Sequence, residues 1–184
     1  MALLAEEIVE EWLNRQGYFT IRGIRVGVDE IDILAVKPSK GRRVSCRHIE
    51  VQCSMRPIGY ISKLPKKTQK KTGRPANTAA RRSREDLING VREWVKKKYE
   101  SKGKVDLLKR LYSGKWSREL VVNKVRDNAE VNLIKDHHKI KIFKLSDIVS
   151  DLQKNDYIIR SARGADLVDL VHIGVPESKN KRSH

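Results

Sequence analysis

The stretch that decides the fold is Glu30–Gln52, EIDILAVKPSKGRRVSCRHIEVQ. Two apolar runs, Glu30–Lys37 and Val44–Cys53, flank Pro38-Ser39-Lys40-Gly41, a strong turn signal. Read as strands, they alternate. Glu30 and Asp32 share one face of the first strand, and Ile31 and Ile33 the other. On the second, His48, Glu50 and Gln52 share a face, and Ile49, Val51 and Cys53 the opposite one. A hairpin turning about Gly41 pairs residues whose numbers sum to about 82, by the geometry of antiparallel pairing. Asp32 then stands opposite Glu50, and a slip of one residue would destroy the match.

Opposed carboxylates destabilise a sheet. At about 4 Å their repulsion is roughly 4 kcal/mol for an effective dielectric near 20. A hard divalent cation with oxygen ligands would offset that cost. Glu50 and Gln52 are spaced to act together, one on the metal and one on an attacking water, with the Val51 carbonyl as a further ligand. The competing reading is a wet face of an amphipathic hairpin. Against it, both strands are otherwise strongly apolar, and the acids cluster in a very basic chain.

Outward from the hairpin, residues 3–16 carry Leu4, Ile8 and Trp12 at helical spacing, and Gly17 suits a C-cap. Tyr18–Val26 reads as a strand. Arg84–Tyr99 reads as a helix with Leu87, Ile88, Val91, Trp94 and Val95 on one face. Leu120–Val125 is a buried-type strand, 128–136 helical, and Lys139–Lys144 another strand. Ser146 is placed to cap a helix running to about Lys154. Residues 165–171 suggest a last short helix. The order predicts an α/β fold: a mixed β-sheet flanked by helices, with a parallel crossover in the second half. Residues 1–172 form one domain in this reading, and 173–184 a basic, disordered tail.

The 184 residues suffice for one core. Forty Lys and Arg against 23 Asp and Glu give a net charge of +17, which favours a polyanion. No apolar run approaches the roughly 18 residues that span a bilayer, and no secretory leader is apparent. Cys46 and Cys53 lie on one strand at odd spacing and face apart, so they cannot pair. The pattern lacks a zinc-ligand set. These features suggest a reduced, cytoplasmic setting.

Ser54–Arg84 holds ten basic residues and no acidic one. Lys63, Lys66, Lys67, Lys70, Lys71, Arg74, Arg81, Arg82 and Arg84 follow the acidic strand directly. They read as an insertion that embraces DNA and orders on binding; the alternative is a solvated linker. Trp12 and Trp94 sit at core spacing, and His137-His138 reads as a surface pair. No aromatic stacking platform and no Gly-rich phosphate loop is present in the sequence. A basic RNA-associated protein would fit the charge but leaves the carboxylates unexplained.

Glu6 with the Leu13…Gly17-Tyr18 helix ending, then Glu30-Ile31-Asp32-Ile33-Leu34-Ala35, then Ile49-Glu50-Val51-Gln52, resembles the PD-(D/E)XK nuclease superfamily in its Holliday-junction-resolvase-like and restriction-endonuclease-like branches. The resemblance implies a restriction-endonuclease-like fold with an α-β-β-β-α-β core. It implies that Asp32 and Glu50 bind Mg²⁺, with Mn²⁺ as substitute, and that a first-helix glutamate completes the site. Glu6 fits best, with Glu7, Glu10 and Glu11 as alternatives. It further implies a homodimer that hydrolyses phosphodiester bonds in double-stranded or branched DNA, leaving a 5′-phosphate and a 3′-hydroxyl. The departure is Gln52, where most members carry Lys. A glutamine cannot serve as a base near pH 7, so a catalytically inactive DNA-binding protein is the alternative function.

Overall fold

The computed structural model describes residues 2–39, 43–54 and 57–155. The tip of the hairpin at residues 40–42, the expected helix at 165–171, the domain limit at 172 and the tail at 173–184 lie outside them.

Helix α1 (Ala2–Arg15) leads into strands β1 (Phe19–Val26), β2 (Asp29–Ser39) and β3 (Arg43–Gln52). Helices α2 (Lys66–Thr72), α3 (Arg84–Tyr99) and α4 (Lys102–Leu111) precede β4 (Trp116–Val122). Helix α5 (Asn128–Asn132), extended by a π-helical turn at Leu133–His137, precedes β5 (Lys141–Lys144) and α6 (Leu145–Lys154). One sheet runs β1-β2-β3-β4-β5. Its first three strands are antiparallel, and β3-β4-β5 are parallel. The mixed sheet flanked by helices and the α-β-β-β-α-β order match the expectation.

Each sheet face is buried by a different helix set. Ile33, Ala35, Ile49, Val51 and Val121 pack against Ile8, Val9, Leu13 of α1 and Ile148, Leu152 of α6. Leu120 and Val122, one residue out of phase, pack on Val91, Val95 and Tyr99 of α3. Burying an aliphatic side chain in such clusters contributes about 1.5–3 kcal/mol, so the alternation along β4 fixes its two faces.

The hairpin register is the expected one: Ile33↔Ile49, Leu34↔His48 and Ala35↔Arg47. One detail departs from it. Ile31 and Ile33, expected on one face, separate: Ile31 packs with Leu34 and Leu108, Ile33 with α1. Between the pairs Arg22↔Ile33 and Ile24↔Ile31 the ladder skips one pair, and there Gly23 adopts a φ of +66° across from Asp32. Only glycine takes that conformation readily.

Other limits shift. Strand β4 starts at Trp116, because it pairs with Cys46–Gln52, and Val125 instead bridges Ile58. Helix α6 starts at Leu145, so Ser146 lies inside its first turn, with its hydroxyl on Asp147 rather than on a free N–H. Helices α2 and α4 were not anticipated. Cys46 and Cys53 are free thiols. Among the described residues, no helix is long and apolar enough to cross a membrane.

Candidate active site

The ladder between β2 and β3 ends at Ile33↔Ile49, one pair short of Asp32 and Glu50. There the Asp32 side chain takes over the backbone's role: Oδ2 accepts the Val51 N–H at 2.7 Å. The strands splay, and both carboxylates come within reach of one cation. Lys98 Nζ, from the last turn of α3, lies 2.5 Å from Glu50 Oε2 and 3.9 Å from Asp32 Oδ1. Lys104 Nζ, from α4, lies 3.0 Å from Glu50 Oε1. His48 Nε2 lies 3.1 Å from the same oxygen.

This environment drives the two acids apart. Burial and the neighbouring Glu50 charge push the Asp32 carboxyl up to about 7, against Lys98 and the Val51 N–H. Burial would raise Glu50 too, but the His48 hydrogen bond and the Lys98 and Lys104 charges outweigh it and hold it down at about 2. Burial lowers His48, which favours the neutral imidazole donating Nε2–H to Glu50.

The four glutamates of α1 divide. Glu7 and Glu10 lie against Arg22, at 3.3 and 3.5 Å, and Glu11 lies against Arg15. Burial raises the Glu6 carboxyl; the Arg22 charge acts against it, and Glu30, Lys98 and Glu50 also act on it. Val51 is buried, with its N–H committed to Asp32.

Gln52 does not join the carboxylates through its amide. Its Nε2 donates to the Ile61 carbonyl at 2.8 Å and so ties β3 to the basic segment. That segment is also clamped from α5. Fully buried Glu130 accepts the Ile61 and Ser62 N–H groups, at 2.5 and 2.8 Å, and the Ser62 hydroxyl. Lys63, Lys66, Lys67, Lys70, Lys71, Arg81 and Arg84 are exposed. Arg74 is half-buried, its guanidinium on the Ala80 and Arg81 carbonyls. Arg82 departs from this row. It is buried, stacks 3.9 Å over the Tyr60 ring, and bonds Ser62, so it braces the segment and offers nothing outward. The segment thus has internal structure of its own, including α2.

Lys98 and Lys104 are the residues that sequence reasoning missed. A signal was present. Lys98 continues the buried stripe Leu87–Val91–Val95 of α3, and Lys104 stands one turn before the buried Leu108 on α4. A lysine on an apolar stripe needs a buried partner.

Do these groups suit a cation? Among the described residues, no three His, Cys, Asp or Glu side chains converge into a ready ligand set. Two carboxylates do, with oxygen donors only. That fits Mg²⁺, which retains waters and takes one or two protein carboxylates plus phosphate oxygens. A cleft of about 770 Å³ lies elsewhere, beside the buried Arg47–Glu119 pair that Trp12, Tyr18 and Phe143 surround.

No protein-family model and no curated protein matches the sequence. Among solved structures, the chain is similar to the MspJI restriction endonuclease in complex with a 27-mer oligonucleotide. The TM-score is 0.39 at 15% identity, over 94% of this chain and 30% of that one. A likeness of that size carries no functional argument, and the chain spans under a third of that protein.

Proposed function

We propose that this chain is a divalent-metal-dependent DNA endonuclease of the PD-(D/E)XK type, hydrolysing phosphodiester bonds in duplex or branched DNA. The observation that carries the reading is the meeting of Asp32 and Glu50 around one cation at the splayed end of the hairpin. Asp32 and Glu50 would hold Mg²⁺ or Mn²⁺, with Glu6 bordering the site. Such an ion, when bound, polarises a phosphate and acidifies a water.

The chain's own residues prepare the rest. His48 and Lys104 keep Glu50 ionised and fixed. The Val51 N–H orients Asp32, whose proton would leave as a dication arrived. Gln52 and Glu130 hold the exposed lysines of the basic segment beside the end of β3. Two cuts on a duplex call for two such sites, hence a homodimer.

The test is incubation with duplex, flap and four-way-junction DNA in Mg²⁺ or Mn²⁺, alongside Asp32→Ala. Cleavage by the parent and none by the variant is expected; absence of cleavage, or cleavage indifferent to the substitution, rejects the proposal. One observation favours a second reading. Both oxygens of Glu50 already have protein donors, as in a nuclease fold that only binds. That protein would bind DNA equally in EDTA and show no thermal shift with Mn²⁺.

A further inference from the structure

Glu50 faces two ammonium groups, and of these Lys98 also lies near Asp32. The two lysines are not equivalent. Lys104 has a side chain only 1% exposed, with Nζ held between Glu50 Oε1 and the Lys98 carbonyl, at 3.0 and 2.9 Å. It is locked in place. Lys98 has a side chain 29% exposed and reaches the same cluster from the solvent side. Its contact with Asp32, at 3.9 Å, is a through-space attraction longer than a hydrogen bond. Asp32 itself is 13% exposed, against 1% for Glu50. The open side of the pair is therefore the side on which Lys98 stands.

We infer that Lys98 is the phosphate-contacting lysine of this site, and that it occupies the divalent cation's place between the carboxylates when no such ion is bound. The inference rests on the nuclease reading above and assigns a role within it. A dication held by Glu50 and Asp32 would compete for them with the Lys98 ammonium, which lies against Glu50 Oε2 and Asp32 Oδ1. Displaced, the ammonium needs only rotation of its four-carbon stem to meet an anion arriving from solvent. Lys104 stays behind and keeps Glu50 charged.

In the reaction, a water oxygen forms a bond to phosphorus while the P–O3′ bond breaks. The bonding electron pair leaves with O3′, which takes a proton from solvent; the attacking water releases one to solvent. Lys98 remains protonated throughout. It donates hydrogen bonds to the non-bridging phosphate oxygen on which charge accumulates. Gln52 cannot supply this charge, and its amide N–H is engaged by Ile61.

The experiment compares the full chain with Lys98→Met and Lys98→Arg. Mn²⁺ affinity of the free protein is measured by calorimetry, and kcat and KM by cleavage of the DNA panel. Removing the competing ammonium should tighten Mn²⁺ binding about tenfold or more. It should lower kcat by about 10²–10³, the usual effect of losing one preorganised donor, with KM changed less than about threefold. Lys98→Arg, which keeps a charged donor, should recover part of kcat. Mn²⁺ affinity unchanged or weakened in Lys98→Met overturns the inference, as does retention of kcat. If the parent chain cleaves nothing, the nuclease reading falls, and the Mn²⁺ titration alone then decides for or against Lys98 as the ion's placeholder.

Discussion

Lys104 Nζ lies 3.0 Å from Glu50 Oε1, with both side chains 1% exposed. The Lys104 charge is buried against this carboxylate, because an unpaired ion in the interior loses several kcal/mol of hydration. Lys104→Met should therefore destabilise the fold by about 3 kcal/mol, toward the lower end for a broken buried pair since Lys98 and His48 remain on Glu50. Urea titration measures it. Adding Glu50→Gln to Lys104→Met should recover part of the loss, as the buried carboxylate that has lost one of its two ammonium partners is then neutral. Lys98→Met, at a more exposed position, should cost about 1 kcal/mol. Equal losses from the two lysines would contradict the division of roles between them.

The pH dependence of stability follows from Asp32 and Glu50, with opposite signs. Asp32 titrates at about 7 in the fold against 3.8 in its ordinary state. Between those values the folded chain holds a proton the unfolded chain has lost, so metal-free stability falls as pH rises from about 4 to 7. Each unit of displacement is about 1.4 kcal/mol. Glu50 titrates at about 2 against 4.5. Its contribution is complete above pH 4.5 and is lost as pH drops toward 2. Thermal melts in EDTA should thus peak near pH 4–5. Asp32→Asn should flatten the decline toward pH 8 and raise stability there. Mn²⁺ should restore the parent at pH 8 and leave Asp32→Asn unmoved. A parent protein as stable at pH 8 as at pH 5 without metal would refute this account.

The hairpin was legible because both of its signals are local. Alternation assigned the faces, and a turn expected about Gly41 set a register sum of 82, the one observed at Ile33↔Ile49; Pro38 and Ser39, read as part of that turn, continue the strand opposite Val44 and Arg43. What sequence reading missed depends on contacts distant in the chain. Lys98 meets Glu50 across 48 residues, and Lys104 across 54. Both are among the forty Lys and Arg of the chain, and residue type alone does not single them out. Ile31 and Ile33 part company where Gly23 of the neighbouring strand takes a positive φ, a feature that alternation along β2 alone does not carry. Arg82 lies within a run of cations and reads as surface; only the Tyr60 ring and Ser62, about twenty residues earlier, turn it inward.

Glu130 anchors the basic segment, and its removal should loosen that segment selectively. Its carboxylate accepts the Ile61 and Ser62 N–H groups and the Ser62 hydroxyl, while Arg82 bonds Ser62 from the other side. Glu130→Ala orphans two buried N–H groups, each costing about 1–3 kcal/mol. Global stability should fall by about 3 kcal/mol. Residues 57–83 should open locally, with trypsin cutting first at Lys63 and the α2 lysines. Glu130→Gln, which keeps one acceptor oxygen, should fall between. If trypsin maps the same first cuts in parent and Glu130→Ala, the anchor role is wrong.

Exposure also sorts the cations of that segment by their effect on DNA binding. Lys66, Lys67, Lys70 and Lys71 all project from α2 into solvent. A lysine that neutralises one duplex phosphate contributes about 0.9 to the slope of log K against log salt. Replacing all four by alanine should therefore lower that slope by up to about 3–4 and weaken binding to any sequence alike. Arg82 has its guanidinium folded onto Tyr60 and Ser62 and touches no phosphate in this account. Arg82→Lys should leave the slope unchanged while lowering the melting temperature, because lysine cannot reproduce the stacked fork. Fluorescence anisotropy across 50–200 mM salt on one duplex separates the two classes. A quadruple α2 variant with the parental slope would remove the basic segment from the DNA interface.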